Sequence, residues 1–138
     1  MNITIHRTIL GVIAGLALSI CAQAEPTLAG NKSLAGQTLD PDAVKAVLLG
    51  KKVMLGDIRV VIIIAKPNAA QDAFLQANVG MTTSQFQNHW RRLFLTGGGS
   101  APKIVETEDH ACKLAADTVG AIAIIDSASV GDLAVLAK

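Results

Sequence analysis

Apolar residues follow two different spacings along the chain. Residues 60–65 and 121–125 are short, almost continuous apolar runs, and the first is dominated by β-branched side chains. Such runs are typical of strands that are buried on both faces of a sheet. Shorter strands are expected around Leu28, over residues 103–105 and over residues 133–136. Because helical spacing separates these runs, the pattern predicts an α/β fold with a single three-layer lobe and a mixed sheet.

Four positions carry the signature of a helix start. Asp40, Asn68, Thr82 and Thr107 have side chains that can accept a hydrogen bond from a first-turn amide, and Gln85 completes a capping-box spacing after Thr82. The first helix is expected to end at Gly50, the second near Ala77 and the fourth before Gly120. Residues 51–57 are interpreted as a turn, and residues 97–100 (Gly-Gly-Gly-Ser) as a flexible break.

Two of the predicted helices show which side should face the core. Phe86, Trp90 and Phe94 follow one another at four-residue steps, so we interpret them as a core-facing stripe, with a stacking platform for an aromatic ligand as the alternative. Arg91 and Arg92 beside this stripe are interpreted as a solvated helix face, with an acidic partner as the alternative. The helix after Thr107 is expected to direct four side chains toward the core, those of Ala111, Cys112, Ala115 and Val119.

Residues 1–24 have the three-part layout of a secretory signal peptide. Arg7 precedes an apolar run over residues 9–20, and Ala22-Gln23-Ala24 offers the small-x-small pattern of a cleavage site. We predict cleavage after Ala24 and a periplasmic or secreted protein, with lipidation of Cys21 and a retained anchor as alternatives. Residues 25–138 then form one domain with no integral membrane segment.

Composition and charge exclude several classes of function. The chain has 12 Lys and Arg against 11 Asp and Glu, so no charge excess indicates nucleic-acid binding. Signal cleavage leaves Cys112 as the only thiol, interpreted as buried and inert, with an intermolecular disulfide as the alternative. No nucleophile–base arrangement can be nominated, so no enzyme activity and no cofactor are predicted. No metal site is predicted either, because helix-start electrostatics account for the acidic cluster. That cluster comprises Glu106, Glu108, Asp109 and His110.

The order of several motifs resembles the substrate-binding proteins of phosphate ABC transporters, and in particular their short, secreted, single-lobe members. The motifs are Leu48-Leu49-Gly50-Lys51-Lys52, the glycine turn at Gly56 before the apolar strand, an inward Phe74, Trp90 before Leu95-Thr96-Gly97 with Pro102-Lys103, and Gly120-Ala121-Ile122-Ala123-Ile124. They span residues 39–126. The resemblance implies one lobe of a periplasmic binding protein, and a ligand that is phosphate or another small oxyanion.

Two departures from the family pattern concern the ligand. Where the family carries an Arg and a Ser-Gly-Thr, this chain has Ala65-Lys66-Pro67-Asn68-Ala69-Ala70, and Ala123-Ile124 replaces Gly-Tyr. The candidate ligand-binding residues are therefore Lys66, Asn68, Ala69 and Ala70. Here a lysine and the free amides of a helix start would attract an anion. The plain alternative is that Asn68 only caps its helix and Lys66 is solvated.

Two functions are consistent with these observations. The first is an exported, non-catalytic binding protein that holds a small oxyanion weakly, because a lone lobe supplies only half of a closed cleft. A second copy of the chain or an envelope protein could supply the other wall. The second function is a periplasmic protein-interaction or sensory module that kept the fold and lost its ligand. Either interpretation requires the two apolar runs to share a sheet, and ligand binding also requires Asn68 to border a concavity.

Overall fold

The computed structural model describes residues 25–97 and 101–137. The predicted signal peptide, residues 1–24, lies outside the described residues, as do residues 98–100 of the predicted glycine-rich break. In chain order the elements are β1 (Pro26–Gly30), α1 (Pro41–Leu48), β2 (Met54–Leu55), β3 (Ile58–Arg59), β4 (Val61–Ala65), α2 (Ala69–Val79), α3 (Thr83–Leu95), β5 (Lys103–Val105), α4 (Glu108–Asp117), β6 (Ala121–Asp126) and β7 (Ala134–Ala137). Two short 3₁₀ turns, Lys32–Leu34 and Ser127–Ser129, follow β1 and β6.

Five of these strands form one mixed sheet in the order β5-β4-β6-β1-β7. The two apolar runs of the sequence become β4 and β6, which are parallel neighbours with Val61 opposite Ala121. β5 is parallel to β4, whereas β1 is antiparallel to both β6 and β7. The predicted α/β class and mixed sheet are confirmed. β2 and β3 form a separate two-stranded hairpin: β2 and the connecting turn lie inside the segment predicted as a turn, residues 51–57, and β3 follows it.

Side-chain alternation along the central strands divides the core into two layers. Ile62 of β4 and Ile122 of β6 face α1, α2 and α3, while Ile63 and Ala123 face α4. The α4 side is lined mainly by small side chains, including those of Ala29, Ala65, Ala111, Ala115 and Ala121. Short side chains on both surfaces let a helix approach a sheet closely. The sheet therefore lies between three helices on one face and one helix on the other.

The predicted helix starts are confirmed by their hydrogen bonds. The side chain of Asp40 accepts from the Ala43 amide at 2.7 Å, and Thr107 caps α4 in the same way. Thr82 and Gln85 form a complete capping box. α2 runs to Val79, two residues beyond the predicted end, and Gly80 stops it in the left-handed conformation. None of the helices in the described ranges is long and apolar enough to cross a lipid bilayer.

Three side chains predicted to lie in the core do not lie fully inside it. Phe94 is 57% exposed because it lies in the last turn of α3, where the sheet below ends at its short edge strand β5. Val119 is 69% exposed because α4 ends at Asp117 and an extended Thr118 follows. Cys112 is half-buried rather than buried. Phe86 and Trp90, by contrast, lie in the core as predicted.

A glycine and a tryptophan join the end of α1 to the middle of α3. The indole Nε1 of Trp90 donates to the Leu48 carbonyl at 2.9 Å, which satisfies one of the last carbonyls of α1. Gly50 has a φ of +80°, and a Cβ at this position would lie 2.8 Å from the Trp90 ring. The Leu-Leu-Gly-Lys motif and the Trp motif of the sequence are therefore two halves of one contact.

Candidate functional site

The four predicted ligand-binding residues lie together at the carboxyl end of β4, where α2 begins. They border a concavity of about 410 Å³, to which Glu106, Thr107 and Glu108 also contribute. In open α/β sheets, ligands bind outside the carboxyl ends of the strands. The structure therefore brings Lys66, Asn68, Ala69 and Ala70 to a single place on the surface, beside residues that the sequence did not connect with them.

Asn68 acts as the cap of α2. Its side-chain oxygen accepts from the Gln71 amide at 2.9 Å, and its side-chain nitrogen donates to the Lys66 carbonyl at 3.2 Å. The structure shows no acceptor within the described residues for the amides of Ala69 and Ala70. Two donors at the positive end of the helix dipole thus remain open to the concavity.

Lys66 is paired with a carboxylate. Its Nζ lies 2.6 Å from Oε2 of Glu106, and the two side chains are 61% and 71% exposed. An exposed ion pair of this kind contributes at most about 1 kcal/mol, so either side chain can leave it at small cost. Glu108 also lines the concavity, so two glutamates and one lysine border it. The local charge therefore opposes an incoming anion.

The two glutamates differ in how firmly they are held. The Glu108 carboxylate accepts a hydrogen bond from the Asp126 amide, which ties the start of α4 to the end of β6. Glu106 has Lys66 as its ion-pair partner and lies on the loop between β5 and α4. Of the two carboxylates, Glu106 is the one whose movement would free Lys66.

A buried glutamine, Gln71, fixes the start of α2 against β4, a role that the sequence alone does not show. Oε1 of Gln71 accepts from the Ala65 amide at 3.0 Å, and Nε2 donates to the Ala65 carbonyl at 2.8 Å and to Thr83 Oγ1 at 3.0 Å. The carboxamide thus takes the place of a neighbouring strand at the end of β4. Both Gln71 and Thr83 are almost completely buried. A glutamine in the first turn of a helix carries no sequence signal for binding a strand end, so only the fold reveals this role.

The same network extends to Asp72 at the surface. Asp72 Oδ1 accepts from the hydroxyl of Thr83 at 2.6 Å and from its amide at 2.8 Å. Because both hydrogen bonds favour the ionised carboxylate, they lower the pKa of Asp72, with the hydroxyl contributing most. This interaction locks the first turn of α2 to the first turn of α3.

Two further chemical candidates of the sequence were the Cys112 thiol and the acidic cluster after β5. Burial raises the pKa of the Cys112 thiol, and the nearby carboxylates of Glu108 and Asp109 raise it further. Its Sγ lies 3.8 Å from the Ser129 carbonyl. Among residues 25–97 and 101–137, no three His, Cys, Asp or Glu side chains are grouped so that they could hold a metal ion.

Comparison with known proteins assigns the chain to no family. No family model matches it, and no curated protein is similar to it at a significant level. The resemblance to phosphate-binding proteins therefore stays a prediction.

Proposed function

We propose that this chain is a non-catalytic protein of the exported substrate-binding type that holds a small oxyanion, such as phosphate, weakly at the start of α2. The observation that carries the proposal is the concavity at the carboxyl end of β4, where the open amides of Ala69 and Ala70 and the ammonium group of Lys66 come together. Helix starts bind anions through such amides.

The ion pair between Lys66 and Glu106 explains why binding would be weak. An oxyanion has to displace Glu106 from Lys66 and then stand near both Glu106 and Glu108. Removing the charge of Glu106 should therefore strengthen binding. An exposed ion pair is worth up to about 1 kcal/mol, so Glu106→Gln should raise the affinity about fivefold.

Thermal unfolding in phosphate, sulfate and chloride at matched ionic strength tests the proposal. Ligand binding stabilises by RT ln(1 + [L]/Kd), so an anion at about ten times its Kd adds about 1.4 kcal/mol. This corresponds to a rise in Tm of about 5 °C for a chain of this size. Phosphate and sulfate also stabilise proteins generally by exclusion from their surfaces, and variants are needed to separate the two effects.

Two pairs of variants provide this separation. Lys66→Met should remove the specific part of the shift, whereas Lys51→Met, which removes an exposed lysine elsewhere, should keep it. Glu106→Gln should increase the shift, and Asp57→Asn, in the β2–β3 turn, should leave it unchanged. Equal shifts in all five proteins would contradict the proposal.

The second candidate is a protein-interaction or sensory module that kept the fold without its ligand. The observation that favours it is the same ion pair, because Glu106 already occupies the cation that a ligand would need. This candidate predicts no specific anion shift in the wild type or in Glu106→Gln. It also predicts a binding surface elsewhere on the molecule.

A further inference from the structure

An apolar groove lies between α3 and β5, away from the start of α2. It encloses about 230 Å³ and is lined by residues that include Ile64, Trp90, Phe94, Pro102 and Ile104; we call it the α3–β5 groove. Phe94 and Ile104 are each 57% exposed on its rim. Neighbouring exposed apolar side chains of this size are typical of interaction surfaces.

The groove borders a free sheet edge. Among the described residues, β5 pairs with β4 alone. The Lys66 amide donates to the Val105 carbonyl, so Val105 directs its carbonyl toward β4. Because backbone groups alternate along a strand, the N–H and C=O of Ile104 point away from β4, toward the open side. Such an edge is a template for pairing with another strand.

Alternation also assigns the side chains of β5 to the two faces. Ile104 is in register with Ile64 and shares its face, the one that α3 covers. Lys103 is in register with Ile63, whose side chain packs on the α4 side. A strand added to this edge would therefore meet an apolar side chain on one face and a lysine on the other.

The surroundings of the groove are basic. α3 carries Arg91 and Arg92 and no acidic residue, and Arg91 lines the groove itself. An adjoining cavity, which shares Trp90 with the groove, is bordered by Lys52 and Arg59 and by no carboxylate. Within the described residues none of these cations forms an ion pair. The nearest carboxylate in the chain, that of Glu106, follows β5 directly and is paired with Lys66.

We propose that the α3–β5 groove binds an extended segment of a partner protein in which acidic and apolar residues alternate, added as a strand to the free edge of β5. Its apolar side chains contact Ile104 and Phe94 on the face that α3 covers, and its carboxylates, on the opposite face, meet Lys103. Charge complementarity selects this occupant over a basic segment or a neutral one. The inference rests on the second candidate function, the interaction module.

A library of random seven-residue peptides tests the inference directly, with the full chain as bait. Peptides with alternating acidic and apolar residues should be enriched. The best peptide is then titrated against the protein while the fluorescence of Trp90 is recorded, since Trp90 is the only tryptophan and lines the groove. Replacing its acidic residues by lysine should weaken binding at least about tenfold. Enrichment of basic or neutral peptides, or of none, would overturn the inference.

Variants locate the bound peptide. Lys103→Glu should weaken binding about tenfold, and Val119→Asp, at an exposed apolar site outside the groove, should not change it. Ile104→Pro removes the outward N–H and should bind more weakly than Ile104→Ala, which keeps it. Equal binding by these two variants would overturn strand addition. If Ile104→Pro does not fold, the charge selectivity of the wild type still decides.

The outcome can be separated from that of the proposed function. None of the groove variants touches Lys66 or Asn68, so any anion-induced rise in Tm should be retained in all of them. Size-exclusion chromatography with light scattering identifies the remaining competitor, a second copy of this chain. A dimer that Ile104→Ala dissociates would show that the groove is occupied by the protein itself, and would overturn the inference.

Discussion

Replacing Gln71 by leucine should test how the fold holds the candidate site. The two side chains are similar in size, so the change removes hydrogen bonds without opening a large cavity. It leaves the amide and the carbonyl of Ala65 without partners in a residue that is only 2% exposed. Each buried unpaired group costs about 1–3 kcal/mol, and the added apolar burial returns part of this. We expect a net loss of about 3 kcal/mol.

Urea unfolding followed by the fluorescence of Trp90 measures this loss, since the buried indole becomes exposed when the chain unfolds. Gln76→Leu is the matched control, because it makes the same change at an exposed position of the same helix. The control should stay within about 0.5 kcal/mol of the wild type. A loss below about 1 kcal/mol for Gln71→Leu would show that the carboxamide does not replace a strand at the end of β4.

Three further changes have outcomes that follow from single contacts. Gly120→Ala should lower the free energy of unfolding by more than about 3 kcal/mol in urea, because φ is +76° and a Cβ would lie 2.0 Å from the Arg59 carbonyl oxygen. Asp72 has a lowered pKa, so its stabilising effect is present above the ordinary aspartate pKa of about 4 and is lost as the pH falls below it. Acid titration of stability should therefore show a smaller loss in Asp72→Asn than in the wild type, and equal losses would contradict the assignment. Burial raises the pKa of the Cys112 thiol, so less of the reactive thiolate is present at pH 8. Its alkylation by iodoacetamide, followed by mass spectrometry, should therefore be several-fold slower than that of a free cysteine thiol. An equal rate would contradict the effect of burial.

The four helices and the five strands of the mixed sheet could be predicted because their signals are local, whereas the short β2–β3 hairpin could not. A cap such as Asp40 or Thr82 depends on atoms within three residues, and the apolar run of β4 needs only its own composition. The core prediction for Phe94 is wrong because helical spacing identifies a face of the helix and not the extent of the sheet beneath it. Its exposure depends on the shortness of β5, a strand that follows α3 in the chain.

The sequence predicts where the candidate site lies but does not identify all the residues that form it. The sequence identifies Lys66 and Asn68 because they follow an apolar strand and precede a helix. Glu106 is separated from Lys66 by forty positions, and only the parallel pairing of β4 with β5 brings the two together. The role of Gln71 likewise depends on where the backbone of β4 loses its strand neighbour. Both omissions concern contacts that the topology creates.

The place of β1 in the sheet has a consequence for how the chain acquires its structure. β1 is the first strand of the fold, yet its neighbours are β6 and β7, so Leu28 finds Ile124 only when almost the whole polypeptide has been synthesised. Contacts of such long sequence separation slow folding and leave intermediates with exposed apolar surface. A nascent chain that ends before residue 121 has no central strand, so we expect it to depend on chaperones until synthesis is nearly complete.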